Sequence, residues 1–324
     1  MCKKLLTFIT VVFLSFVWIS CASVKQAGSN AVADMLAGSD KNGKPVKKSP
    51  DNSMSAITGE SDTVLMGDFF PTALKMYEVM QAGNPEHAGL AIMCGEMNVM
   101  YANAFIQASA DRLTDAEFDK KNAEYTRAKL HYLRGRDYIL TMFEKKYPGF
   151  KKAMLSSDED AIQAAAAKLK LCDVTAAYWC AGGALGAFSL DPLNADLLNS
   201  VRGPVAMLEK AAALDPDYSE GVIWDMLTAF YVSAPADFGG DYDRGLYCHE
   251  QAMRVSGGRT PGPYITYAVS VCQPKNDEQG FVDALNKALA IQPDDNPDER
   301  LSTIIFQQKA KFLLDSKDDY FVHW

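Results

Sequence analysis

The strongest constraint in this sequence is the spacing of its apolar residues, which repeat every three or four positions through most of the chain. Near the C-terminus Phe281, Leu285, Ala288 and Leu289 share one helical face, and Leu301 begins a second row of the same kind. The alternation of apolar and polar residues that is typical of strands is nearly absent. The pattern therefore predicts an all-α fold.

Proline and glycine divide this helical pattern into segments. We expect helices to stop at Asp215-Pro216, at Gln292-Pro293 and at the glycine pairs 239–240 and 257–258. The run 264–271 is rich in β-branched residues, which suits a strand. Its neighbours on both sides are helical, so we predict a helix there as well. The result is a series of stacked antiparallel helical hairpins.

Three helix endings share the same order of residues: Leu208–Pro216, His249–Gly257 and Leu285–Pro293. Ala211, Ala252 and Ala288 hold equivalent places in them, at intervals of 41 and 36 residues. The tetratricopeptide repeat has a period of about 34 residues, and its second helix carries a small residue where a neighbouring helix approaches closely. Such endings also occur in unrelated helical proteins, but three copies in register favour degenerate tetratricopeptide-like repeats.

The N-terminus differs from the rest of the chain. Lys3 and Lys4 precede an uncharged, mostly apolar run of sixteen residues, Leu5–Ser20, which is shorter than the roughly 20 residues of a spanning helix. The small residues that follow fit a cleaved export signal. Cys21 stands where bacterial lipoproteins are cut and acylated, so we predict a signal peptide at 1–20 and lipidation of Cys21. Secretion without a lipid and an uncleaved anchor are the alternatives.

Composition separates two further parts. Residues 21–62 are rich in Ser, Gly, Asn, Lys and Asp, and no aromatic residue occurs between Trp18 and Phe69. Such a segment is typical of a flexible tether that holds a folded body away from a membrane. Residues 63–324 carry nearly all of the aromatic residues, and we predict that they form one helical domain.

Charge and motif content argue against several classes of function. The chain has 41 Asp and Glu against 32 Lys and Arg, a net charge of -9, which argues against non-specific binding to nucleic acid. Its four histidines include no i, i+4 pair and no HExxH, so we expect no metal and no cofactor. No nucleophile with a base and no phosphate-binding loop emerges, so we expect no enzyme.

Two features of the middle of the chain have a structural interpretation. The motif Gly182-Gly183-x-x-Gly186 lacks the strand and the GKS/T of a phosphate loop, and we interpret it as a site of close helix packing. The uncharged run 174–190 is at the short limit for a membrane span and contains glycine and polar atoms. We therefore predict a buried central helix there.

Five blocks occur in a fixed order: Tyr147-Pro-Gly-Phe150, Ala176–Phe188, Phe238-Gly-Gly-Asp241, Tyr267-Ala268 before Phe281, and Gln307–Leu314. In this order, after a lipoprotein-like signal, they resemble the TatT or T-component family, helical lipoproteins encoded with tripartite ATP-independent periplasmic (TRAP) transporters. The resemblance covers about Val64 to Leu314. It departs from the family at Ser270-Val-Cys-Gln273 and in the degenerate second repeat, which affects the loop geometry.

The resemblance implies an all-helical body, a homotrimer with a central pore, and clefts that admit hydrophobic small molecules. It also implies docking with the periplasmic ligand-binding subunit of a TRAP transporter. Tyr178, Trp179 and Trp224 are our candidates for lining such a cleft. The alternative is that they are ordinary core residues, which the neighbouring glycines favour for Trp179.

The leading hypothesis is a non-enzymatic accessory protein, lipid-anchored in the periplasm, that docks with a TRAP ligand-binding subunit and handles a hydrophobic ligand. The alternative is a helical-repeat lipoprotein that serves as a scaffold for cell-envelope assembly. That alternative predicts envelope-assembly partners and no internal apolar ligand.

Overall fold

The structure, a computed structural model, describes residues 55–321 together with Asn30, residues 33–34 and residues 40–44. Its α-helices are, in chain order, α1 (Ser55–Thr58), α2 (Thr63–Gly83), α3 (Ala88–Met100), α4 (Ala108–Asp111), α5 (Phe118–Lys146), α6 (Phe150–Met154), α7 (Glu159–Ala166), α8 (Val174–Leu190), α9 (Ala195–Asn199), α10 (Arg202–Leu214), α11 (Val222–Ser233), α12 (Tyr242–Ser256), α13 (Gly262–Tyr267), α14 (Glu278–Ala290) and α15 (Arg300–Asp315). No strand occurs within these described ranges, and the predicted all-α fold is confirmed.

Two segments form π-helix rather than α-helix. Tyr101–Gln107 continues α3 into α4, and Ala268–Cys272 extends α13. The run 264–271, which the sequence left open between strand and helix, lies in α13 and its π-helical extension. The prediction of a helix there is confirmed. A π-turn inside a helix is uncommon and shifts the side chains that follow it around the helix axis.

The ends of the helices follow the local chemistry of the chain. At the start of α2, Asp62 Oδ1 accepts hydrogen bonds of 3.0 Å from the backbone N–H groups of Val64 and Leu65. These N–H groups have no partner inside the helix, so the carboxylate satisfies them. At the other end of a helix, Gly257 follows α12 with a φ of 58°, a left-handed conformation that glycine adopts at little cost.

The three similar helix endings coincide with α10, α12 and α14. Their equivalent alanines, Ala211, Ala252 and Ala288, are all fully buried. Helix α10 stops directly before Asp215-Pro216, as predicted. A small side chain at each place lets the next helix approach closely, which is the packing role that the sequence assigns to it. The specific tetratricopeptide geometry stays a prediction.

The main apolar core lies between α5, α8, α10 and α11. It includes Leu140, Phe143, Cys180 and Leu208, each with at most 1% of its surface exposed. A second core joins α2, α3 and α5, and a third joins α13, α14 and α15. Trp179 on α8 packs against both the first and the second core.

Glycines bring α5 and α8 into direct contact. A Cβ atom placed on Gly183 would lie 2.7 Å from the carbonyl oxygen of Tyr132, and one on Gly186 would lie 2.5 Å from the Tyr132 ring. A side chain at either position would collide with α5. The interpretation of this glycine motif as a site of close helix packing is confirmed.

The last helix returns to the first part of the domain. Arg300 Nη1 donates to the carbonyl of Gly59 at 2.9 Å, and Gln308 Nε2 donates to Thr63 Oγ1 at 3.0 Å. Helix α15 therefore contacts the start of α2 as well as its neighbour α14. The last helix thus links the C-terminal end of the domain to its first helices.

Part of the predicted tether lies against the domain. Ala33 is buried in the second core, and Asp34 Oδ1 lies 2.8 Å from Nε2 of the fully buried His87. The carbonyl of Lys41 accepts a hydrogen bond of 3.1 Å from Ala88 N at the start of α3. The predicted signal at 1–20 and Cys21 lie outside the described residues.

Across the described part of the chain, none of the helices combines the length and apolar character needed to cross a bilayer. The uncharged helix α8 instead has Ala176, Ala177, Cys180 and Ala181 buried in the protein.

Candidate ligand site

Two of the predicted cleft residues lie together on α8. The rings of Tyr178 and Trp179 meet edge to face with centroids 5.0 Å apart. Tyr178 also contacts Tyr218, whose ring centroid is 5.9 Å away. The Tyr218 hydroxyl donates to Thr175 Oγ1 at 3.2 Å, which fixes that ring against the first turn of α8.

The third predicted residue, Trp224, is placed differently. Its indole N–H donates to the carbonyl of Pro216 at 2.7 Å, and its ring contacts Tyr247 of α12 with centroids 6.2 Å apart. The structure does not bring Trp224 into ring contact with Tyr178 or Trp179.

Carboxyl groups from other parts of the chain act on Tyr178 through their charge. Burial is the main cause that raises the pKa of Tyr178, and Tyr218 together with the charges of Asp225, Glu96 and Glu299 raises it further. The same Glu96 charge helps to raise the pKa of Tyr218 to about 12, again mainly through burial. Helices α3, α8 and α11 thus present phenol and carboxyl groups to one region, here called the interior site: Glu96, Tyr178, Trp179, Tyr218 and Asp225.

The rings of Tyr178, Trp179 and Tyr218 pack against the main apolar core. Each of the five residues of the interior site nevertheless keeps part of its surface accessible. Burial is also the main cause of the raised pKa of its four titratable groups. These groups are therefore largely surrounded by protein without being fully enclosed.

The two carboxyl groups have few partners. Burial raises the pKa of Glu96 to about 7. Burial also raises the pKa of Asp225 to about 6, although the Thr266 hydroxyl and the charge of Lys309 on α15 lower it. The Asp225 Oδ1 atom is wholly buried and accepts no hydrogen bond from any residue that the structure describes. A buried polar atom without a partner is costly and rare in folded proteins.

A strained turn holds the Tyr218 end of the site. Ser219 and Glu220 have φ values of 42° and 55°, and Gly221 has a φ of 87°. Left-handed backbone at two consecutive residues other than glycine costs free energy and persists only where the surrounding structure fixes it. This turn leads from Tyr218 directly into α11, which carries Asp225.

Chemically, this arrangement can bind a molecule. The rings offer apolar faces, and the carboxyl and hydroxyl groups offer hydrogen bonds and negative charge. Within the described residues, no group of three His, Cys, Asp or Glu side chains is close enough to hold a metal ion.

Comparison with known proteins decides the family. The model of the family described as TRAP transporter T-component matches residues 59–321. The chain belongs to this family. It is also 39% identical over 266 residues to a protein of Treponema pallidum (strain Nichols) described as uncharacterized, a match that covers 82% of each chain.

T components are accessory proteins of TRAP transport systems, so the chain has an accessory role in transport. The family is not one of known enzymes. The T-component match covers all five residues of the interior site, from α3 to α11.

Sequence reasoning missed Glu96, Tyr218 and Asp225 in this T component. A signal for the two acids was present, because each is the only charged residue in an otherwise apolar helix, α3 and α11 respectively. Burying a lone carboxyl group is unfavourable, so such a residue marks a special environment. Tyr218 had no comparable signal, because a tyrosine after a proline turn is common.

Proposed function

We propose that this chain is a lipid-anchored periplasmic T component that docks with the ligand-binding subunit of a TRAP transporter and holds a hydrophobic small molecule in its interior site. The observation that carries this proposal is the match of the T-component family over residues 59–321. The half-buried aromatic rings of Tyr178, Trp179 and Tyr218 support the ligand-holding part.

Docking is tested with the full-length protein and a TRAP ligand-binding subunit from the same organism. We expect the two proteins to co-purify and to cross-link, and an unrelated periplasmic binding protein serves as the control. Failure to detect a complex in either assay would contradict docking and would favour the envelope-scaffold alternative.

The anchor is proposed from the sequence around Cys21. We expect palmitate to label the protein in cells and the label to be lost in Cys21→Ser, which removes the acylated thiol. Labelling that survives this substitution would contradict lipidation of Cys21. Fractionation of the same cells tests the periplasmic location, because a periplasmic domain is digested by protease once the outer membrane is opened.

The homotrimer with a central pore is proposed with α2 as the contact between copies. Leu65, Phe69, Met76 and Val79 follow one face of α2 at helical spacing, and Val79 is 72% exposed. An exposed apolar row of this length favours contact with another protein surface. In a trimeric ring the row on one copy packs against a different surface of the next copy, because a threefold ring is built from head-to-tail contacts.

Native mass spectrometry tests this contact. We expect a trimer for the natural protein and a monomer for the double variant Met76→Glu, Val79→Glu, because each added charge would be buried between copies. The matched control is Leu193→Glu, since Leu193 is 92% exposed and lies outside α2. If the double variant still has the mass of a trimer, a contact through α2 is contradicted.

A further inference from the structure

The polar groups of the interior site are acids and hydroxyls. Glu96 forms no ion pair with any residue in the described part of the chain, and Asp225 forms none either. Lys309 acts on Asp225 only from a distance and is itself exposed. The site thus has negative charge that the protein itself does not neutralise.

One atom in the site lacks a partner outright. Asp225 Oδ1 is wholly buried and accepts no hydrogen bond, although Thr266 interacts with the same carboxyl group. A carboxylate can accept several hydrogen bonds, and an ionised donor is the partner that it binds most strongly. Asp225 as a whole keeps part of its surface accessible, so its uncompensated charge favours a positively charged donor from outside the chain.

The rings beside this carboxyl group suit the same kind of molecule. Tyr178 packs edge to face with Trp179 and contacts Tyr218, so the three rings present both apolar surface and electron-rich faces. Aromatic faces attract cations and also bury hydrocarbon. An organic cation with an apolar body satisfies the rings and the carboxyl groups together.

We propose that the interior site binds an organic cation, an amine carried on an apolar body. The ammonium group is held by the Asp225 carboxylate, the apolar body lies against the rings of Tyr178 and Trp179, and Glu96 adds to the negative potential of the site. This inference rests on the ligand-holding part of the proposed function and names the class of ligand.

Other ligand classes fit the site less well. A carboxylate or phosphate ligand would bring a third negative charge to Glu96 and Asp225, and like charges repel strongly where protein excludes water. A neutral alcohol could donate one hydrogen bond to Asp225 but would leave the charge uncompensated. An organic cation avoids the repulsion between like charges and also compensates the charge of Asp225.

The experiment compares three probes with the same eight-carbon chain: octylammonium, 1-octanol and octanoate. Their affinities for the purified full-length protein are measured by calorimetry at about pH 8, where both acids are ionised. We expect octylammonium to bind at least about tenfold more tightly than 1-octanol, and octanoate to bind most weakly. Equal or tighter binding of octanol or octanoate would overturn the inference.

Substitutions assign the preference to the carboxyl groups. Asp225→Asn should lower the affinity for octylammonium at least about fivefold and leave that for 1-octanol unchanged. Glu96→Gln should act in the same direction with a smaller effect. The control is Asp217→Asn, because Asp217 is exposed and pairs with Arg254 at 3.2 Å. If Asp225→Asn lowers the affinities for octylammonium and 1-octanol equally, the proposed role of the Asp225 charge is overturned.

The pH dependence gives a second readout. Thr266 and Lys309 act on Asp225, whose charge acts on Tyr178. Glu96 acts on Tyr77 of α2, on Tyr178 and on Tyr218, and Glu299 acts on the same Tyr178 and Tyr218. Binding of octylammonium should weaken as the pH falls through about 7 and then about 6, because the two carboxyl groups become neutral. Binding of 1-octanol should stay constant, and a parallel fall for both probes would overturn the inference.

The two levels of the proposal are separable. If 1-octanol binds and octylammonium binds no better, the cation inference fails while ligand holding stands. If none of the three probes binds, the inference and the ligand-holding part of the proposed function both fail. Docking with the TRAP ligand-binding subunit is measured independently of either result.

Discussion

Two aspartates, the buried Asp173 at the start of α8 and the half-buried Asp225 near the start of α11, have opposite surroundings. Asp173 receives three partners: Lys146 Nζ lies 2.5 Å from Oδ1, and the Tyr147 hydroxyl and the backbone N–H of Lys170 donate to Oδ2 at 2.7 and 3.0 Å. Among the described residues Asp225 has no ion-pair partner, and its Oδ1 accepts no hydrogen bond. The protein thus neutralises one carboxylate completely and leaves the other open.

The different surroundings indicate different roles, a stabilising one for Asp173 and a binding one for Asp225. The Asp173 group joins the end of α5 to the start of α8, so its interactions stabilise the packing of the two central helices. The Asp225 group costs free energy in the folded protein, because burial disfavours its charge and nothing in the chain fully repays this cost. A group that destabilises its own fold is a candidate for binding something else.

The largest effect is expected at Asp173. Asp173→Asn should lower the free energy of unfolding by about 3 kcal/mol, because it leaves the Lys146 charge unpaired and weakens two hydrogen bonds. Urea unfolding at neutral pH measures this loss. Asp217→Asn, which removes an exposed ion pair, should change the value by less than about 0.5 kcal/mol. Similar losses of unfolding free energy for Asp173→Asn and Asp217→Asn would contradict a stabilising role for Asp173. The contrast between Asp173 and Asp225 would then be lost.

Asp225→Asn should have the opposite sign. At pH 7.5 it should raise the free energy of unfolding by about 1–2 kcal/mol, because the folded carboxyl group has a pKa of about 6 and its ionisation there costs stability. A raised pKa in an acid makes the folded state less stable as the pH rises from about 4 to about 6. The gain should therefore vanish when unfolding is measured near pH 4, and a loss of stability at pH 7.5 would contradict this account.

Glu96→Gln should give a gain of similar size, about 1–2 kcal/mol above pH 7, because burial raises the pKa of Glu96 by about as much as that of Asp225. The folded pKa of Glu96 is about 7, so the gain should continue to grow up to a higher pH than for Asp225→Asn. Unfolding curves for both variants across pH 4 to 8 show the pH range over which each gain in stability develops. Identical pH profiles would show that the two acids share one environment.

The smallest effect is expected at Lys309. Lys309→Met should lower the free energy of unfolding by a few tenths of a kcal/mol at pH 7.5, because its charge is the one that lowers the pKa of Asp225. NMR titration of the Asp225 side chain should show a higher pKa in this variant. In the Asp225→Asn background the loss should be absent, and a loss that persists there would assign Lys309 another role.

Much of the fold was predictable because it depends on local chemistry. The period of the apolar residues gave the helices, and the small residues at Ala211, Ala252 and Ala288 gave the buried contact positions. The glycines at 183 and 186 were correctly assigned to close packing. These features follow from the spacing of residues on one helix and need no knowledge of distant segments.

The candidate site was predictable only in part. Tyr178 and Trp179 were found because they are neighbours in one conspicuous helix, and the structure brings them into contact. Trp224 was chosen for its size alone, and its neighbours are Tyr247 and Pro216. The place of a side chain in a cleft depends on the rotation of its helix against the others, which one helix does not specify.

By itself the sequence determined the helices, their ends and their small contact residues, because hydrophobic spacing, capping groups and steric limits act within a few residues of one another. Only the tertiary structure decided that Glu96, Tyr178 and Asp225 share one region and that Asp173 is paired while Asp225 is not. The electrostatic environment of a carboxyl group depends on charges and water around it in three dimensions. Those come from helices that are far apart in the chain and meet only in the folded domain.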